Sequence, residues 1–268
     1  MKYIASHKVT PNITLSELET SIDKFIEKDL DQLLVPVPSV LWSRALHALS
    51  IGEVELAYRF LQIWPLTKAT KFARLGRTEP FDLDIAGRKL PVQPNPTWRL
   101  AEGAHDWIHG FSLAVAARDQ TAIDMLLAHD RSKLERVNFE QEACNLSLAE
   151  TFRYFYLKDD RWQAELADFL RLSEAKELKI ASPRDMVPTR ALAPIFESIA
   201  AQDQEGFTET LVAHLEAFKA YWSRTPTLDS QLSVPAIGLC AMAVQRGLEL
   251  QVESGYIPDW LVHGVSPG

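Results

Sequence analysis

Apolar residues recur at helical spacing along most of the chain, and prolines and small polar turns punctuate them. Thr14 and Glu17 have the spacing of a capping box, and Leu15, Leu18, Ile22, Phe25 and Ile26 follow at helical intervals, so a first helix is predicted there. The segment VPVPSV (residues 35–40) ends it, because proline lacks a donor and biases its predecessor away from helix. Ser39 is the predicted cap of a second helix carrying Leu41, Trp42, Ala45, Leu46 and Leu49. A third runs from about Glu53 to Leu75 through Leu56, Phe60 and Leu61, with Pro65 as the candidate kink.

One stretch changes period. Phe81, Leu83 and Ile85 alternate with Asp82 and Asp84, and Gly87 precedes Leu90 and Val92, which predicts a short β-hairpin over 81–92. An isolated hairpin is marginal in water, so it must pack on the helices or reach toward a partner. After QPNPTW the helical period returns: Trp98, Ala101, Ala104, Ile108, Phe111 and Val115 form one stripe, and Ile123, Leu126 and Leu127 the next. Leu146 to Tyr156, Trp162 to Leu170, Leu192 to Ala201, Phe207 to Trp222 and Pro235 to Arg246 continue the pattern, broken only at SPRDMVPT. Gly247 is placed as a C-cap.

The strings LHALSIGEVELAYRFL, LAVAARDQTAIDMLL and ESIAAQDQEGFTETLV share a plan: a helix end of small residues, a polar turn, then an amphipathic helix. Small residues let antiparallel helices approach closely. The turns marked by Gly52, Asp119 and Asp203 are 67 and then 84 residues apart. A regular tetratricopeptide array would repeat about every 34. The expected fold is therefore mostly α: an irregular array of antiparallel helical hairpins, TPR-like without a regular repeat, plus the β-hairpin. One domain over residues 1–268 is expected, with 1–93 as a candidate N-terminal helical subdomain.

Eleven glycines in 268 residues suit helices joined by short loops. The net charge of −8 repels phosphate backbones, which argues against nucleic-acid binding and would attract a basic partner. Cys144 and Cys240 lie among Ala and Leu and fall in no C-x-x-C, as expected of buried thiols in a reducing compartment. No signal-peptide stretch and no uncharged run near 18 residues stands out, so no membrane role and a cytoplasmic location are expected.

The strongest enzyme-like text is HDWIH, with His105 and His109 four residues apart. Such a pair can bind Zn²⁺ from one helix face, with an acid between acting on bound water. Asp106 is shorter than the usual Glu, and no downstream ligand stands at a telling spacing. A hydrogen-bonded core histidine also fits position 105, beside Ala101 and Ile108. His7, His47, His129, His214 and His263 add no ligand pattern. No nucleophile elbow, Walker loop or G-x-G-x-x-G is present, so no cofactor and no catalytic residue are assigned.

Most of the seven tryptophans fall on apolar stripes and belong to the core; one exposed beside acids would be a binding anchor. Acids cluster at Glu135, Glu140 and Glu142, at Asp159 and Asp160, and at Asp203, Glu205 and Glu209. Each is read as a solvated face, or as part of an acidic face mimicking the negatively charged substrate of a basic partner. The candidate partner-binding residues are Asp82, Asp84, Asp119, Asp159, Asp160, Asp203 and Glu205.

The ending SVPAIGLCAMAVQRGLELQVESGYIPDWLV (residues 233–262) is a small-residue helix, the Arg246–Gly247 exit, a short strand, then Tyr256, Ile257, Pro258, Trp260 and Leu261. It resembles the ending of the immunity protein 49 family of bacterial polymorphic-toxin systems. The likeness extends to the Trp98 helix and AARDQTAIDMLL, covering about the last two-thirds of the chain. The resemblance implies an intracellular antidote that binds and blocks a cognate toxin, often a nuclease and hence basic, by occlusion and without catalysis. Two other readings stay open. A helical scaffold with a peptide ligand predicts a concave groove of polar and aromatic side chains; a metal-dependent hydrolase would use His105, Asp106 and His109.

Overall fold

The computed structural model describes residues 2–6, 37–85, 88–97 and 102–267. The helix predicted after Thr14, the turn glycine Gly87, and Trp98 and Ala101 lie outside the described residues.

The fold is the expected irregular array of helical hairpins. Helices α1 (Val37–Ser50) and α2 (Val54–Ala73) pack as the first pair, α3 (Ala104–Ala117) and α4 (Gln120–Leu127) as the second. A short α5 (Arg131–Leu134) leads to α6 (Ala143–Tyr156) and its partner α7 (Arg161–Leu172). After α8 (Met186–Arg190), α9 (Ala193–Ala200) pairs with α10 (Gln204–Trp222), and α11 (Val234–Gln245) and α12 (Asp259–His263) close the array. Among the described residues no helix is long and apolar enough to cross a membrane.

One backbone device makes four of these hairpins. Gly52 (φ 83°), Arg118 (φ 59°), Lys158 (φ 57°) and Gln202 (φ 54°) are left-handed. In each case the next residue's N–H reaches back to a carbonyl five positions earlier: Glu53 to Ala48, Asp119 to Ala114, Asp159 to Tyr154 and Asp203 to Ser198, at 2.9–3.0 Å. A left-handed residue turned in this way consumes carbonyls that a helix end would leave unpaired. The following acid then starts the next helix: Asp119 accepts from Ala122 N and Asp203 from Gly206 N, each at 3.0 Å. Gly247 (φ 91°) takes the predicted C-cap conformation, with Leu248 N bonded to Ala243 O at 3.1 Å.

The hairpin is also present, as β2 (Phe81–Ile85) and β3 (Arg88–Val92), paired antiparallel from Phe81↔Val92 to Ile85↔Arg88. Leu83 and Ile85 are buried, and Asp82 and Asp84 face outward. A strand the sequence pattern did not suggest, β1 (Lys2–Ile4), pairs in parallel with β4 (Val252–Ser254), and Ser254 Oγ donates to Ile4 O at 2.8 Å. Chain start and C-terminal motif are thereby joined.

Three boundaries differ from expectation. α1 begins at Val37, so Ser39 sits in its first turn rather than capping it; the carbonyl of Pro38 instead accepts the Trp64 indole N–H at 2.7 Å. SPRDMVPT does not simply break the pattern but contains the start of α8, where Pro188 falls in the first turn and loses no helical bond. The helix bearing HDWIH starts at Ala104, with Gly103 as N-cap.

α3 is the central element, packed against α2, α4, α6, α11 and α12. Its Trp107 is fully buried, stacks on Phe111 at 4.7 Å, and donates to Leu126 O at 2.9 Å. Gly238 brings α11 against it so closely that a Cβ there would stand 2.6 Å from Ser112 Cβ. Both cysteines are buried free thiols.

Candidate functional site

The N-terminal ends of α1, α3, α8 and α11 and the C-terminal half of α10 surround a cleft of about 580 Å³. That is the size of a small-molecule or side-chain binding site. His105, Asp106 and His109 form one wall, because i and i+4 on α3 point the same way. Their imidazole rings lie 4.3 Å apart, tilted by 41°. His105 is exposed to the cleft, not a hydrogen-bonded core histidine, and among the described residues neither imidazole has a hydrogen-bond partner. Water reaches both rings from the cleft side while protein surrounds them elsewhere. That confinement holds His105 below the ordinary imidazole range, against the pull of Asp106. It holds His109 well below, helped by His105 beside it. Both rings are therefore neutral at pH 7.

Lys68 of α2, almost buried, donates to Asp106 at 2.8 Å and pairs with Glu102 at 2.6 Å, while Lys71 also binds Glu102. Burial alone would raise the Asp106 carboxyl, but the adjacent ammonium outweighs it and the net shift is downward. Among the described residues no group of three or more His, Cys, Asp or Glu is arranged to hold a metal ion. Among those residues the HDWIH pair has no third protein donor of the kind a catalytic zinc takes.

Aromatic rings and two further carboxylates line the remaining walls. Trp42 and Trp64 lie 5.4 Å apart, and Trp42 Nε1 donates to Asp229 Oδ1 at 2.7 Å. Opposite them, Phe218, Tyr221 and Trp222 descend α10, and Tyr221 Oη donates to Asp185 Oδ1 at 3.0 Å. At the floor, buried His214 bridges Pro188 O (3.0 Å) and Ser233 Oγ (2.7 Å). Those partners place the proton on Nδ1 and make Nε2 the acceptor, and burial lowers the ring to about 4.

Glu142 shapes the rim from behind. Expected on a solvated face, it is buried and accepts backbone N–H groups of Lys179, Ile180 and Ala181 at 2.6–3.2 Å. Burial opposes its charge, but these donors prevail and lower its pKa. It holds the loop that contributes Ala181 and Asp185 to the cleft.

Nearly all of the ending from Ser233, the HDWIH helix and all of the cleft lining but Pro38 fall within one sequence match: the pattern of the family described as immunity protein 49 fits residues 39–261. The chain belongs to the immunity protein 49 family. No curated protein and no solved structure matches it.

In this immunity protein 49 member the seven acids expected at a partner surface are not gathered at the cleft. Asp82 and Asp84 project from the β-hairpin, and Asp160, Asp203 and Glu205 are exposed at helix starts. Asp119 and Asp159 are half-buried; the first caps α4, and the second is held by Arg161 at 2.5–3.0 Å. The cleft residues Lys68, Asp185, His214 and Asp229 carried no motif. The one usable signal was the rule for tryptophans: Trp42 is half-buried beside Asp229, the position of an anchor beside an acid.

Proposed function

We propose that this protein is an intracellular antidote that binds a cognate bacterial toxin effector and neutralises it by occlusion, without catalysing a reaction. Family membership over residues 39–261 carries the reading. The toxin is a basic, nuclease-type protein. The charge of −8 supports that part, because opposite charge accelerates encounter and an acidic face can imitate nucleic-acid phosphates. Asp82 and Asp84 on the hairpin, with Asp119, Asp159, Asp160, Asp203 and Glu205 at the turns, are the proposed acidic contacts. The place of action is the cytoplasm, where a nuclease would do its damage.

The test is co-expression in bacteria with the toxin domain encoded beside this chain's gene. Survival, and a complex that co-purifies and weakens with salt, are expected; death of the cells with no complex would end the reading. The aromatic and polar lining of the cleft favours a second reading, a helical scaffold for a peptide segment. Protection of cells is the outcome that a general scaffold does not produce.

A further inference from the structure

The cleft, rather than the acidic turns, contains the groups best suited to hold one partner side chain. Among the described residues its lining has three carboxylates, Asp106, Asp185 and Asp229, against the single ammonium of Lys68, which Asp106 and Glu102 already neutralise. Asp229 uses Oδ1 for the Trp42 indole, which fixes that ring as part of the wall. Its Oδ2 has no partner among the described residues. His105, close enough to feel the Asp229 charge, and His109 beside it each offer an acceptor nitrogen with no hydrogen-bond partner among the described residues, and the rings of Trp42 and Trp64 line the same cleft. Several helix N-termini also reach the cleft, and their partial positive charge would favour an anion. Full carboxylate charges outweigh such half-charges, and Asp106 occupies the first turn of α3, where it answers that helix directly.

We infer that the cleft seats an arginine side chain presented by the partner protein, with Asp229 and the paired imidazoles receiving the guanidinium N–H groups and Trp42 stacking on its plane. A guanidinium offers five donors in one plane and stacks on aromatic rings, which matches acceptors and π faces set side by side. An ammonium offers neither the plane nor the fork. The inference rests on the antidote reading and adds what the partner must present.

The experiment uses the full chain and two probes, Nα-acetyl-arginine amide and its neutral isostere Nα-acetyl-citrulline amide. Tryptophan fluorescence and calorimetry follow binding. The arginine probe is expected to bind and the citrulline probe to bind at least about tenfold more weakly, the difference a charged hydrogen bond makes. Asp229→Asn keeps an acceptor for Trp42 and is expected to weaken the arginine probe by about tenfold too. In a second arm that needs no variant, the arginine probe is expected to compete with the toxin domain for the wild-type protein. Equal binding of the two probes, or no binding, overturns the inference; so does a toxin complex unaffected by saturating arginine probe. If the wild type protects cells while the probes fail, only the cleft assignment is lost. If it neither protects nor binds the toxin domain, the antidote reading fails and the cleft assignment with it.

Discussion

Trp42 and Asp229 are 187 positions apart in the chain, yet the indole of one donates to the carboxylate of the other at 2.7 Å. The bond ties α1 to the 3₁₀ turn Leu228–Gln231 that leads into α11, beside a second tie in which Gln231 Nε2 donates to Leu46 O at 3.0 Å. Because the Trp42–Asp229 pair is exposed, its contribution to stability should be modest. Trp42→Phe and Asp229→Ala are each expected to cost about 1 kcal/mol in urea unfolding. A double-mutant cycle should return a coupling of about 0.5–1 kcal/mol. Coupling near zero would mean the pair does not persist in solution.

Lys68 is the most confined cation of the site, 8 % exposed, with Glu102 at 13 %. Replacing it by methionine removes the charge but keeps the apolar stem against Trp64, 5.7 Å from its ammonium. Among the described residues Glu102 would retain only Lys71, and Asp106 no cation. Lys68→Met is expected to lose about 3 kcal/mol, because breaking a buried pair leaves a charge without compensation. The triple variant Lys68→Met, Glu102→Gln, Asp106→Asn should recover much of that loss. The difference between the two urea midpoints is the measurement.

Much of this architecture was legible before any coordinates, because helical periodicity and turn chemistry are local. LHALSIGEV, LAVAARDQT and ESIAAQDQE located three of the four turns through Gly52, Asp119 and Asp203, though not the left-handed backbone at Arg118 and Gln202. The fourth, at Lys158–Asp159, escaped because its flanks are aromatic rather than small: YFYLKDDRW has the same backbone in different clothing. β1 escaped for another reason: a three-residue strand has no period to read, and its pairing with β4 spans the whole chain. The cleft was half legible. His105 and His109 share a helix, so their spacing reveals them, while Lys68, Asp185, His214 and Asp229 come from four separate segments that only tertiary packing assembles. Glu142 was misjudged since acids are normally solvated, and nothing local announces the three amides it receives.

Acid should weaken the fold through its buried histidines. His214 is lowered to about 4 by burial, with only the Pro188 carbonyl opposing. His129 is lowered to about 4 by burial and by Lys133 and Arg153 nearby. Between about pH 6.5 and 4 the unfolded chain therefore binds protons that the folded one refuses. Stability is fully present above pH 6.5 and falls as pH drops through that window, by up to about 3 kcal/mol for each ring. Melting temperature against pH should show this slope, and His214→Gln should flatten part of it while lowering the melt at pH 7.5. An unchanged slope in that variant would remove His214 from the account.

Gly238 offers the sharpest check on the packing of α11 against α3. Helix propensity alone says that Gly238→Ala should stabilise, by about 1 kcal/mol for a residue inside a helix. The contact says otherwise: the added methyl would stand 2.6 Å from Ser112 Cβ and 2.7 Å from its Cα. Backbone cannot step aside as a flexible side chain can, so the two helices must separate, and overpacking of this kind costs about 1–3 kcal/mol or more. The contact is close enough to win, and the expected net result is a lower melting temperature. Ser112→Gly in the same chain removes two of the three clashing atoms, Cβ and Oγ, and leaves Cα at 2.7 Å, so it should restore part of the loss and not all. If Gly238→Ala alone melts higher than the wild type, propensity has prevailed, and the close approach on which the core of this fold depends is not present in solution.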